Sequence, residues 1–296
     1  MKYHYHVPEH KKVRVIIDTD AKNEADDQYA IVHALLTEKF DVRGIIAAHF
    51  GNFHSEHSML DSYEECIRIN KYMGTDTDIY HGAECAINSK TDYEYSEGAD
   101  LIVREALLDD SRPLYVLFMG PITDMACALL KHPEIEGRVT AIWNGGGQYP
   151  DGGTEFNLSN DILAANIVMS SKLDIWQIPA DVVAQMAVGI AELEQKVRPY
   201  GNIGRYLFEQ LVEFNDSKNA HWTSGETWCL GDNCTVGALL HQDIYAYTMQ
   251  EAPEFNDDMT YIHNTGYRCI RVYHKMNASL VLGDLFAKLA LCFPAD

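Results

Sequence analysis

The feature that most constrains this chain is a recurrence of short, near-continuous apolar runs, each followed by a stretch with helical periodicity. Residues 13–17, 42–48, 114–119, 139–143 and 173–178 are runs of this kind. Helical patterning covers 26–37, 55–73 and 162–170, and another helix begins near Thr123. A strand that is apolar on both faces is covered on both faces, which is the condition of a parallel sheet layered between helices. The expectation is an α/β fold: a doubly wound, mostly parallel, Rossmann-like sheet flanked by helices and joined by right-handed crossovers. No low-complexity run, repeat or Pro/Gly/Ser linker divides the 296 residues, so a single domain over 1–296 is expected.

Open sheets of this type hold their ligands where loops leave the carboxyl ends of the strands. Three polar loops stand at such positions, over residues 18–27, 119–124 and 144–157. The first is the most unusual. It reads VIIDTDAKNEADDQYAI and puts Asp18, Asp20, Glu24, Asp26 and Asp27 within ten residues. Asp26 and Asp27 suit the first turn of a helix, where acidic side chains meet free N–H groups, and a solvated acidic loop asks for nothing more. Four aspartates at a ligand-bearing edge, however, repel one another unless a cation lies between them. Hard oxygen donors of this kind suit Ca²⁺ or Mg²⁺, and the cation reading is preferred.

Composition narrows the partners. Lys and Arg total 23 against 44 Asp and Glu, a formal charge of −21, so the surface repels phosphate backbones. No nucleic-acid partner is expected; a neutral substrate, or a site built round a cation, fits better. No apolar run reaches the length of a membrane span, and the residues before the first strand lack the apolar core of a secretory signal. The seven cysteines are scattered, odd in number and without a C-x-x-C pair, as expected of reduced thiols in the cytoplasm.

The acidic loop resembles the signature D-x-D-P-G-x-D-D of the nucleoside hydrolase family. Asp18, Asp20, Asp26 and Asp27 match its aspartates, and AKNEA replaces the usual three-residue spacer. The resemblance continues in GIIAAHFGN, ending at Asn52, in FMGPITDMA from Phe118, and in IWNGGG from Ile142, where Asn144 stands for the usual methionine. TEFNLSNDILAA, from Thr154, is similar to the family's A-E-F-N-x-x-x-D-P-x-A-A. The family's H-D-P-x-A-V-A helix start has two candidate matches. Leu240-His241-Gln242-Asp243 keeps a histidine; Gly231-Asp232-Asn233-Cys234-Thr235-Val236-Gly237 fits better, because LLHQDIY then follows in register. In that register Gly231 replaces the histidine and the usual leaving-group acid is missing. A strand ending in D-x-D also resembles the haloacid-dehalogenase phosphatases, which usually continue with Gly-Thr where this chain has Ala21-Lys22.

The resemblance implies a nucleoside hydrolase fold and Ca²⁺-dependent hydrolysis of a ribonucleoside. It implies Asp20, Asp27, Asp232 and the carbonyl of Met119 as calcium ligands, with Asp20 also the base toward the attacking water. Asp26, Asn52, Asn144, Glu155 and Asn157 would contact the substrate, and a homo-oligomer is implied by analogy. Taken singly, Asn52 also reads as a turn residue, Asn157 as a helix cap, and Glu155 as a surface charge. His49, His54 and His81 are expected at the surface or core edge. His221 and Trp222, just before the metal segment, are candidates to meet the leaving base, and Trp228 is either a stacking platform or a core residue. Hydrolysis of another glycoside, or binding of a sugar or nucleoside without catalysis, are the alternatives.

Overall fold

The computed structural model describes residues 3–52, 55–242 and 244–295. Its centre is an eight-stranded sheet of β1 (Val13–Thr19), β2 (Phe40–Ala47), β3 (Ile79–His81), β4 (Leu114–Phe118), β5 (Val139–Asn144), β6 (Asp174–Ile178), β9 (Ala246–Glu251) and β12 (Cys269–Lys275). The spatial order is β3-β2-β1-β4-β5-β6-β12-β9, and every pairing is parallel except β12 with β9. Small antiparallel ribbons join β7 (Ala187–Gly189) to β8 (Thr227–Cys229) and β10 (Glu254–Phe255) to β11 (Tyr261–Ile262).

Alternate side chains of each strand enter different cores. In β1, Val15 and Ile17 pack with α1 (Asp27–Leu35), α2 (Ser58–Met73), α9 (Gly201–Asn215), α10 (Asn233–Leu240) and α11 (Ala278–Cys292). Ile16 packs on the other face with α3 (Glu97–Leu107), α4 (Thr123–Lys131) and α6 (Ile162–Ser170). Shorter helices are α5 (Phe156–Asn160), α7 (Ala180–Val183) and α8 (Ile190–Lys196). All seven residues of β1 are buried, which is why its sequence reads as an apolar run rather than an alternation.

The doubly wound sheet is as expected, with shifts at its element ends. β1 runs on through Asp18 and Thr19, so Asp18 belongs to the strand. Helix α2 starts at Ser58 rather than at 55, where the Ser55 hydroxyl accepts the His57 N–H at 3.1 Å in a local turn. The strand order reverses between β1 and β4, and the loops after these two strands therefore part around a crevice. Among the described residues no helix is long and apolar enough to cross a membrane.

Candidate active site

The crevice at that switch point is a cavity of ≈ 410 Å³. Asp20, Asp26, Asp27, Met119, Asn144, Glu155, Asn157 and Asp232 all line it, so loops distant in sequence do converge. At the base of the crevice the approach is close: a Cβ on Gly120, after β4, would lie 2.9 Å from the Asp20 carboxyl carbon, so glycine lets the backbone pass beside that carboxylate. The AKNEA insertion folds as a compact turn. Asn23 N–H donates to the Asp20 carbonyl at 2.8 Å, while the buried Gln28 and Gln210 side chains donate to the Ala21 and Ala25 carbonyls.

Two helices begin at the acidic floor. Asp27 is the first residue of α1, and Asp232 immediately precedes α10, so both helix N-termini turn their free N–H groups toward the carboxylates. Carboxylate oxygens of Asp26, Asp27 and Asp232 lie within 4.8 Å of one another, all three residues buried. This compact trio contains Asp26, whereas the resemblance implied Asp20; Asp20 lines the same cavity beside them. Thr19 donates its hydroxyl to Asp27, and the Asp232 N–H donates to Asp26 at 3.3 Å. None of the described residues lining the cavity is basic.

Burial raises all four carboxyl groups, and repulsion adds to it at Asp20, Asp27 and Asp232, while at Asp26 hydrogen bonds from its neighbours oppose it. Asp27 is pushed up to about 8, by burial first and the Asp26 charge second, against relief from Thr19 and Asp232. Asp20 and Asp232 are driven well above the usual carboxylate range by the same two causes. One oxygen each of Asp20 and Asp26 is buried without a hydrogen-bond partner. Oxygen donors that are crowded, dry and unpaired with any cationic side chain fit a hard divalent cation, which would relieve the desolvation and the repulsion together.

The amides around the floor are already committed in part. Asn144 donates through Nδ2 to Asp232 at 2.9 Å and to the Gly231 carbonyl at 3.3 Å, leaving its Oδ1 buried and unpartnered. Asn157 donates to the carbonyls of Met119 at 2.7 Å and Asn144 at 3.0 Å. Glu155 is no surface charge: it is the N-cap of α5 and accepts the N–H groups of Gly146, Asn157 and Leu158.

Other expected residues fall elsewhere. Asn52 is exposed and does not line the cavity, and neither does the exposed His221, although its neighbour Trp222 does. Trp228 is buried beneath Trp222, their rings 5.3 Å apart, so Trp222 and Phe214 present the aromatic wall. His49 is a core residue, not a surface or edge one. It is 1 % exposed, its Nε2 is 3.0 Å from the Thr123 hydroxyl, and burial pushes it down to about 4. His81 is half-buried against the Tyr63 ring; His54 and Asp243 lie outside the described residues. His241 sits at the far end of α10 from Asp232. A side chain at 231 would meet Val183 at 2.4 Å, which leaves no space there for a histidine.

Glu24 was visible in the acidic loop but had no role assigned to it. It lines the cavity and hydrogen-bonds Asp26, and burial followed by the Asp26 charge holds it well above the usual range. Phe214 gave no signal in the sequence, because an aromatic on an amphipathic helix reads as core.

Comparison with known proteins gives this arrangement a class, that of hydrolases acting on N-glycosyl bonds. The chain belongs to the inosine-uridine preferring nucleoside hydrolase family, whose model matches residues 15–281. It is 24% identical over 261 residues to the pyrimidine-specific ribonucleoside hydrolase RihA of Escherichia coli, covering 78% of this chain and 80% of that protein. A RihA of Salmonella agona is 28% identical over 153 residues, which span only 49% of this chain and 48% of the relative. A purine-preferring ribonucleoside hydrolase from Gardnerella vaginalis superposes with a TM-score of 0.76 at 18% identity, covering 94% of this chain and 99% of that one. A plant nucleoside hydrolase gives 0.74 at 18%, covering 94% and 98%. At that identity the two structures establish the fold.

Proposed function

We propose that this chain hydrolyses ribonucleosides to ribose and a free base, with one Ca²⁺ held at the acidic floor. The observation that carries the reading is the buried trio Asp26, Asp27 and Asp232, within 4.8 Å of one another in a cavity whose described lining has no basic side chain. Asp20, Asp27, Asp232 and the Met119 carbonyl are assigned as the cation's ligands, and Asp26 as the carboxylate between it and the sugar. When bound, the cation supplies an activated water and a grip on sugar hydroxyls.

The chain's own groups do the rest. Asp20 takes the proton of the water that attacks the anomeric carbon as the bond to the base nitrogen breaks. The net negative floor favours the positive charge that develops on the ribosyl group. Asp26, Glu155, Asn157 and Asn144 hold hydroxyls. Asn144 is the best defined of these: flipping its amide would set oxygen against two acceptors, so Oδ1 is the free acceptor and meets a donor from the substrate. Trp222 and Phe214, at the apolar wall, offer faces for a planar base. Asn52 and His221 take no part in this assignment.

Release of reducing sugar from inosine, uridine, adenosine and cytidine tests both halves. Turnover is expected with Ca²⁺, collapse to background in EDTA, and recovery when Ca²⁺ is restored. Turnover that survives EDTA sinks the cation, and a folded protein that cleaves none of the four sinks the ribohydrolase reading.

A further inference from the structure

Helices α1 and α10 carry the two carboxylates that must face each other across the floor, and the contact between the helices contains a polar device. His33, in the last turn of α1, is fully buried. Its Nδ1 lies 3.0 Å from Oδ1 of Asn233, the first residue of α10 and the one directly after Asp232. Its Nε2 lies 3.0 Å from Oδ2 of Asp284 on α11. Asp284 pairs with the buried Lys288 at 2.5 Å, and the Lys288 ammonium donates to the Thr37 hydroxyl at 2.8 Å, just past the end of α1. Thr37 in turn donates to the His33 carbonyl at 2.7 Å. The chain of bonds thus runs from α1 to α10 and α11 and back again.

Around this device the helices are apolar, with Ala30, Ala34, Val236 and Ala238 all buried in one core. Small apolar side chains supply attraction but little resistance to sliding, and a slip of one residue along a helix is about 1.5 Å. Oxygen ligands around Ca²⁺ stand at roughly 2.3–2.6 Å, so such a slip exceeds what a site tolerates. A buried hydrogen bond is directional, and breaking it leaves two dry polar atoms unpaired, which opposes the slip.

We infer that His33 is a positioning residue: its hydrogen bond to Asn233 fixes α1 against α10 and thereby sets the spacing of Asp27 and Asp232 for the cation. The inference rests on the proposed Ca²⁺ site. Its second arm, to Asp284, ties the pair to α11 without touching the floor, and this gives the two arms separable consequences.

Calorimetric titration of the full chain with Ca²⁺, beside the melting curve of each metal-free variant, separates them. Asparagine at 33 places an amide where Nδ1 stood, and glutamine places one where Nε2 stood. Ca²⁺ affinity is expected to fall at least tenfold in His33→Leu, Asn233→Leu and His33→Gln, in line with the roughly 10–100-fold seen when outer partners of a metal site are lost. His33→Asn is expected to stay within about threefold of the parent, and the Leu/Leu double variant to bind no more weakly than either single one. Parental affinity in a folded His33→Leu, or His33→Asn falling as far as His33→Gln, overturns the inference. Should His33→Leu fail to fold, the Asn and Gln variants decide the matter by themselves. A parent that binds no Ca²⁺ overturns the proposed site and this inference with it, whereas a binding parent with unaffected variants overturns the inference alone.

Discussion

Asp232 and His241 stand at opposite ends of α10, and each is the anchor of one register of the C-terminal motif. The two registers predict opposite mutant patterns. With Asp232 among the floor carboxylates, Asp232→Asn is expected to lower kcat by at least a hundredfold, while His241→Ala keeps kcat and KM within twofold; steady-state kinetics on the best nucleoside of the panel reads both. A silent Asp232→Asn with a crippled His241→Ala would reinstate the other register. At this scale the sequence was legible wherever a motif fixed both residue and neighbours: Asp20, Asp26, Asp27, Asp232, Glu155, Asn157 and Asn144 all reach the cavity, while Asp18 stays within β1. It was not legible where a single residue depended on how a loop turns. Asn52 follows a strand of the sheet, as expected, yet faces solvent, and the exposed His221 adjoins the Trp222 that lines the wall. Adjacent side chains in a loop commonly face opposite ways, and nothing in the local sequence says which one turns inward.

The turn from β8 into α10 explains what the site lacks. Val183 occupies the space into which any side chain at 231 would grow, so glycine is required there and no acid can enter by that route. Protonating the departing base is half of the chemical task, and an activated leaving group dispenses with it. The expectation is that p-nitrophenyl riboside is cleaved at least a hundredfold faster than inosine or uridine, with His221→Ala altering neither; matched kcat/KM values would show that an efficient acid is present. Elements themselves were unequally legible. The central strands announce themselves because both faces are buried, whereas β9 at the sheet edge has no buried residue and its composition, AYTMQE, carries no apolar run. β3 has only three residues, and β12 mixes charge into its sequence, with Lys275 at an exposed end and the half-buried Arg271 lying over the Trp176 and Tyr247 rings. Strands of that kind take their place from the neighbour they pair with, which is information held elsewhere in the chain.

Across the whole molecule, a ligand that binds only the folded state adds to stability by mass action. Ca²⁺ at a hundred times its dissociation constant contributes about 2.7 kcal/mol. The thermal midpoint in Ca²⁺ is therefore expected to exceed that in EDTA by several degrees. A folded Asp27→Ala should show no such difference, and scanning calorimetry of both proteins in both buffers checks it. A shift that persists in Asp27→Ala would place the ion elsewhere. The bond between Asp26 and Asp232 spans 206 positions of the chain, and it bears on time as well as on stability. Groups so far apart in sequence come together only after the intervening strands have paired, and contacts of that range form late. An ion at the proposed site would then have nothing to hold during the ascent to the folding barrier, and would grip only the finished protein. For the proposed calcium site the expected effect therefore belongs to the exit: refolding at the same speed with or without calcium, and slower escape of the occupied protein from its native state.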